Sequence, residues 1–345
     1  MLKNQMKRKL LQSFKGLHFG IFIVTVLTVL VLAFTACTDE DEKTPNPTPA
    51  TVLSDFFSIQ NAVTVQGTIP SNPDGPSIGN VSMNGSVISG GSSHITITTD
   101  NDIQKLYVGI KGVNNYYIIT PNAKSNIFDF VILLSQNLDE SFEIQISALL
   151  ADGTTTAVYK STVGYYAVGT GNLQISLSFD NEKDVDLYVL QPDGVMIFYG
   201  NKGGQTYDPI TGLSTYLWGL DLDSNPNCNI DSINNENVFY PDSLVQSGTY
   251  QVWINMYNNC DSSIPTTCIV TALDSGQFII PTYGVNPSTT VFPIGQLSNP
   301  IGNDTVGSIK VMEFTIAGPT TTPKKIYNTK LTESAKIKML GAKRR

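Results

Sequence analysis

The sequence predicts an all-β protein made of two tandem β-sandwiches. Three observations lead there. Apolar residues recur at every second position in short runs, as in Leu173, Ile175, Leu177 and Phe179. Turn signals such as Asn114-Asn115 and Asp152-Gly153 interrupt those runs at short intervals. The composition holds 28 Gly, 18 Pro, 15 Tyr and 15 Phe with only 14% charged residues, the balance of a β-rich extracellular chain. At 345 residues there is enough chain for two domains with cores of their own.

The N-terminus reads as a targeting segment. Lys3, Lys7, Arg8, Lys9 and Lys15 form a basic region, an apolar run extends from Phe19 to Phe34, and Thr35-Ala36 lead to Cys37. That layout is a signal peptide over residues 1–36. It resembles the lipobox of bacterial lipoproteins, with Phe34 where that motif usually has Leu. The resemblance implies that Cys37 is acylated and becomes the first mature residue, which makes the membrane a partner through the lipid. The acidic run Thr38-Asp39-Glu40-Asp41-Glu42 resembles the export signal of Bacteroidetes lipoproteins carried to the outer face of the outer membrane. Residues 37–50 then form an acidic, Pro-rich tether.

Residues 51–168 show strand-like runs with no helical period: Ile95–Ile97, Leu106–Ile110, Tyr116–Ile119, Phe128–Leu134, Phe142–Ile146 and Ala157–Tyr159. Their regular spacing predicts an immunoglobulin-like sandwich. This unit carries no recognisable chemistry and reads as a spacer. Gly169-Thr-Gly171 reads as a hinge, followed by a second β domain over 169–318. Its strongest later strand is Gly248–Tyr257, and Val311–Ile316 closes the sheet. The stretch from Gly200 to Tyr240 lacks long apolar runs and is expected to be mostly loop. Residues 319–345 form a basic tail rich in Lys and Arg.

With Cys37 acylated, Cys228, Cys260 and Cys268 remain, an odd number outside a reducing cytosol. Cys260 and Cys268 flank a short loop between two strand-like runs, which favours that disulfide slightly over Cys228–Cys260. No CxxC motif or neighbouring His supports a zinc site.

The most informative run is Asp184-Val-Asp186-Leu-Tyr-Val189 followed by Pro192-Asp193-Gly194. Alternation puts Asp184, Asp186 and Tyr188 on one strand face and Val185, Leu187 and Val189 on the other. With the apolar set in the core, two like charges lie side by side at the surface, an unfavourable pair unless a cation joins them. Further blocks follow: Ile197–Asn201, Gly219-Leu-Asp221-Leu-Asp223, Asn235-Glu236-Asn237-Val238 and Gly248–Val252. In this order the blocks resemble the bacterial YfaP-type domain of unknown function over residues 172–257. Tyr188 stands where that family commonly has His, Asn234-Asn235 replaces a usual Gly-Pro, and Gly203–Trp218 reads as an insertion. The resemblance implies a jelly-roll-like sandwich and no established activity. A more distant similarity is to pre-peptidase C-terminal sandwiches, some of which bind calcium.

Asp184, Asp186, Asp221, Asp223 and Glu236 all fall in matching blocks, with no base beside them. Such a set invites a hard cation with oxygen ligands, Ca²⁺ ahead of Mg²⁺, with Asn225 or Asn237 as further donors. Alternation in Gly219–Asp223 places Asp221 and Asp223 on one face. The same acids read equally as solvated strand and turn residues, and Pro-Asp-Gly is a tight turn in its own right.

Between the basic termini the body carries 8 basic and 28 acidic residues, a formal charge of −20, which argues against nucleic acid as a partner. Of two histidines, His18 leaves with the signal peptide and His94 reads as a lone surface residue, so Ser/His/Asp or Cys/His catalysis is unsupported. No phosphate-binding Gly-rich loop follows a strand into a helix. The chain therefore reads as a non-catalytic, outward-facing lipoprotein of the outer membrane. Its second sandwich binds a glycan or protein ligand through an aromatic-rich loop with Tyr207, Tyr216 and Trp218, of which Trp218 reads equally as core packing. The alternative is a purely structural spacer or assembly part of the envelope.

Overall fold

The computed structural model describes residues 52–210, 212–300 and 307–317. The signal peptide, Cys37, the tether and the basic tail lie outside the described residues. The first sandwich comprises β1 (Phe57–Ser58), β2 (Val63–Gln66), β3 (Asn80–Ser82), β4 (Ser86–Ile88), β5 (Ser92–Thr98), β6 (Ile103–Ile110), β7 (Asn115–Ile119), β8 (Ile127–Leu134), β9 (Phe142–Leu150) and β10 (Tyr159–Tyr166). One sheet runs β1-β8-β5-β3 and the other β2-β7-β6-β9-β10-β4, with β4 parallel to β10. Pairing of β5 with β8 against a sheet of β6, β9 and β10 is the immunoglobulin-like arrangement. The alternating residues fill its core: Ile95, Ile97, Leu106, Val108, Ile144 and Ile146 are all fully buried. The last strand differs from expectation, beginning at Tyr159 and running to Tyr166, because Ala157 N–H donates instead to Pro76 outside the sheet.

The second sandwich comprises β11 (Leu173–Phe179), β12 (Asp184–Leu190), β13 (Met196–Ile197), β14 (Gln205–Asp208), β15 (Leu213–Tyr216), β16 (Gly219–Leu222), β17 (Asn235–Tyr240), β18 (Gly248–Asn258), β19 (Thr266–Asp274), β20 (Gln277–Phe278), β21 (Tyr283–Gly284), β22 (Ser288–Phe292) and β23 (Ile309–Ile316). One sheet runs β16-β17-β11-β19-β20, with β22 also on β19, and the other runs β13-β12-β18-β23-β21. Successive long strands cross between the sheets, the jelly-roll manner of closing a sandwich. Tyr250, Val252, Ile254 and Met256 of β18 meet Leu173, Ile175 and Leu177 of β11 in its core. Gly200–Tyr240 is only partly loop, with 18 of its 41 residues in strands. It holds four strands, each too short or too mixed in polarity to stand out as an apolar run.

The two sandwiches are docked through polar residues. Gln174, Ser176 and Ser178, the polar set of β11, are buried. Gln174 Nε2 donates to Ser89 O (2.7 Å), Ser92 N donates to Ser178 Oγ (3.2 Å), and Asn84 Nδ2 donates to Phe179 O (2.9 Å). A small apolar cluster of Ile88, Val168, Leu222 and Ile233 seals one side. Gly169-Thr-Gly171 is accordingly no hinge. A Cβ on Gly169 would run into the Phe239 ring and one on Gly171 into the Tyr240 carbonyl, so these glycines serve close approach.

His94 is no lone surface residue either. Its Nδ1 lies 3.5 Å from Asp180 of the second sandwich and its Nε2 3.6 Å from Asp129 of the first. The interaction with Asp180 raises its pKa against the opposing effect of burial, and the field of Asp129 adds to it. A raised His pKa contributes stability below the group's ordinary value and loses it as pH rises through the folded value. A His94→Gln variant should therefore be less stable than wild type by about 0.5–1 kcal/mol at pH 5.5, a discounted value because Asp129 is half in water. The gap should close by pH 8.5. Urea unfolding of both proteins at the two pH values measures it, and a gap independent of pH would show that the imidazole does not titrate against these acids.

Candidate functional site

Strand β12 sorts its side chains as alternation requires, with Val185, Leu187 and Val189 in the sandwich core. The opposite face was expected in water and is not there. Asp184 is 2% exposed, Asp186 3% and Tyr188 0%. Phe198 stacks on Tyr188 at 5.5 Å, and Tyr199 packs edge-on between Phe198 and Tyr257. Residues 223–234 complete the cover, where Asn227 N–H donates to Asp184 Oδ2 at 2.7 Å.

That cover is built from left-handed backbone. Asn225, Asn227, Cys228, Ser232 and Asn234 all have φ between 53° and 60°, a region that Asn tolerates and Cys and Ser enter only when held there. Two devices hold it. A disulfide joins Cys228 to Cys260 just beyond β18. Buried Asn225 donates through Nδ2 to Lys183 O (2.9 Å) and Asn234 Oδ1 (2.8 Å), while its Oδ1 accepts from Asp231 N (2.9 Å). The expected Cys260–Cys268 pair is thus corrected. Cys268 lies inside β19 with its thiol turned into the core, where Cys260 does not reach it. Asn225 is equally unavailable as an ion ligand. So is Asn237, whose amide bonds Gly169 O and Asp221 and accepts from Gln174 and Ser176.

The remaining acids divide. A bulge between Leu220 and Leu222 breaks the alternation of β16. Leu220 enters the sandwich core and Leu222 the cluster at the junction of the sandwiches. Asp221 therefore turns toward the junction, where its carboxylate accepts from Gly169 N and Asn237 Nδ2, and burial raises its pKa to about 7. It is not part of the acidic group. Asp223 is, together with Asp186 and Glu236: one carboxylate oxygen from each lies within 4.8 Å of the other two. Glu236 reaches across from β17, and its Oε2 accepts the Leu187 N–H of β12 at 2.7 Å. Burial pushes the Asp184 carboxyl up to about 6, against the Asn227 hydrogen bond, and drives Asp186 and Glu236 upward as well, reinforced for both by the charges of Asp184 and Asp223. Asp186, Asp223 and Glu236, flanked by Asp184, are the ones able to hold a cation among the described residues.

Contrary to the expectation from sequence, the group has a base beside it. Lys202 Nζ donates to Asp223 Oδ2 at 2.7 Å. It is one of only 8 bases in the acidic body, and that scarcity was the available signal.

The two aromatic residues expected to meet a ligand part company. Trp218 stacks on Tyr240 (5.7 Å) and packs against the core, so its ring is taken up by the sandwich. Tyr216 ends the β14–β15 hairpin, half-buried. Across that hairpin Gln205 faces Tyr216 and Tyr207 faces Ser214, so all four share one face, with Tyr207 65% exposed.

No protein-family model matches the chain, and no curated protein matches it. Solved structures similar to it include the CbhA fibronectin(III)-like modules of Clostridium thermocellum, at 10% identity and TM-score 0.17 over 70% of this chain and 97% of that one. Fervidolysin from Fervidobacterium pennivorans, a keratinolytic enzyme related to subtilisin, is similar at 14% identity and TM-score 0.18 over 72% of this chain and 35% of that one. SGBP-B of the Bacteroides ovatus mixed-linkage glucan utilization locus, solved with a mixed-linkage heptasaccharide, is similar at 11% identity and TM-score 0.16 over 70% of this chain and 62% of that one. Likenesses at these TM-scores carry no argument about function.

Two substitutions test the assignment of roles. Asn225→Ala removes three side-chain hydrogen bonds from a buried left-handed position and should cost on the order of 3 kcal/mol in chemical unfolding. Trp218→Ala should cost a similar amount, at the low end for a large aromatic because its ring is half-buried. A Trp218→Ala protein as stable as wild type would mean that the ring is not a core element.

Proposed function

We propose that this chain is a non-catalytic cell-envelope lipoprotein, anchored through Cys37 and facing outward from the outer membrane, whose second sandwich binds a glycan on the β14–β15 hairpin. The observation that carries the reading is the hairpin face bearing Tyr207 and Tyr216 with Gln205 and Ser214 beside them. Aromatic rings offer broad contact at small cost in side-chain freedom, and the amide and hydroxyl groups beside them match sugar hydroxyls. The base of the hairpin is fixed by Leu217 N–H and Leu220 N–H, which donate to Gly204 O and Lys202 O, and by Trp218, which packs against the core. A platform so mounted does not have to be ordered by its ligand.

A structural spacer is the second reading, favoured by the docking of the two sandwiches through buried hydrogen bonds. A glycan array probed with the purified protein separates the two. Binding that falls at least tenfold in Tyr207→Ala, with melting temperature unchanged because the ring is exposed, supports the hairpin site. A wild-type protein that binds no glycan removes that reading and leaves the spacer. Binding that survives Tyr207→Ala moves the site elsewhere on the molecule.

A further inference from the structure

We infer that Asp186, Asp223 and Glu236 form a divalent-cation site suited to calcium, and that Lys202 is the counter-ion the metal displaces. The inference is independent of what the hairpin binds.

Geometry comes first. Calcium–oxygen distances of about 2.3–2.6 Å place ligands on opposite sides of one ion roughly 4.6–5.2 Å apart. The carboxylate oxygens of the three residues lie within 4.8 Å of one another, so a single calcium can touch all of them. The donor set is oxygen alone, which suits a hard cation rather than zinc or copper. Magnesium fits less well, because it demands a strict octahedron and gives up its waters reluctantly.

The second observation concerns Glu236. The residue is 1% exposed and its Oε2 accepts the Leu187 N–H, yet its Oε1 has no hydrogen-bond partner. A buried carboxylate oxygen without a donor is costly, and natural structures rarely leave one so. The neighbours with which it shares the group are Asp186 and Asp223, which as carboxylates can only accept. What satisfies three converging acceptors is an electron-pair acceptor of small size.

Charge points the same way. With Asp184 beside the group, four carboxylates face one ammonium, a formal −3 when all are ionised. A calcium ion that replaces the ammonium brings that to −2, with its two charges placed among all the carboxylates instead of one charge at Asp223. Lys202 forms its ion pair with Asp223, at 2.7 Å, and acts on Asp186 and Glu236 only through its longer-range field. Its ammonium therefore stands in for the ion at one ligand, and the long flexible side chain can swing out when Asp223 turns to the metal.

Protein stripped with a chelator and dialysed should be titrated with CaCl2 by calorimetry at pH 7.5, with melting curves alongside and MgCl2 as comparison. The expected result is one Ca²⁺ per chain, a melting temperature raised by several degrees at millimolar Ca²⁺, and weaker binding of Mg²⁺. Glu236→Gln keeps an acceptor for Leu187 N–H but loses the charge, and should weaken Ca²⁺ binding at least tenfold. Lys202→Met removes the competitor and should tighten it several-fold. Absence of both heat and thermal shift at millimolar Ca²⁺ overturns the inference, and so does a Glu236→Gln affinity equal to wild type. Should Glu236→Gln fail to fold, wild type and Lys202→Met decide: equal affinities in those two overturn the displacement, and ill-defined stoichiometry above one reduces the effect to diffuse attraction by an acidic body.

Discussion

The second sandwich is organised around carboxylates withdrawn from water. Removing even one ionised carboxylate from solvent costs several kcal/mol after relaxation, unless hydrogen bonds or a counter-ion compensate. Here four stand close together. Asp184 receives the Asn227 N–H, Asp186 the Tyr188 hydroxyl, Glu236 the Leu187 N–H and Asp223 the Lys202 ammonium. Each of these donors comes from a segment that has to be fixed in place. The left-handed turns of residues 225–234 and the Cys228–Cys260 bond follow from that need, because a loop free to move would return the acids to water. Local strain and charge burial are thus two sides of one arrangement.

Much of the fold was legible because strands with one apolar face announce themselves. The apolar sets of β5, β6, β9, β11 and β18 were all visible as alternation, and all lie in the two cores. What alternation cannot tell is where the polar face goes. In β11 the polar set of Gln174, Ser176 and Ser178 looks like a solvated face and is instead the docking surface for the first sandwich. In β12 the Asp184–Asp186 face is roofed by a segment more than thirty residues away in sequence. Both errors have one cause: the periodicity of a strand reports polarity, and burial depends on what arrives later.

The site was half legible for a related reason. Asp184, Asp186, Asp223 and Glu236 could be grouped from their sequence blocks, while Asp221 was grouped wrongly with them. A bulge adds one residue to β16 and reverses the face of everything beyond it. No feature of Gly219–Asp223 marks the bulge, since its apolar residues are Leu on both sides and each finds a cluster to enter. The slight preference for Cys260–Cys268 over Cys228–Cys260 rests on the short loop between them, and the alternative pair is the one formed. Cys268 belongs to a central strand, and its direction is set by the core rather than by the loop.

Strand β17 shows how the two burials are connected. All six of its residues are buried, so its alternation does not separate inside from outside. Asn235 and Asn237 face the junction, where Asn235 accepts from Ser178 and Asn237 joins Gln174 to Asp221. Val238 and Tyr240 sit in the sandwich core, and Glu236 on that same side enters the acidic group. Glu236 does so at a weak point. Strand β12 pairs with β18 along its length but with β13 only at Val189 and Leu190, so the Leu187 N–H would otherwise be a bare edge donor. A carboxylate placed there blocks any further strand and satisfies the donor at once. The charge state of the acidic group is therefore felt directly by the edge of β12, and through β17 it lies one residue from the contacts that hold the sandwiches together.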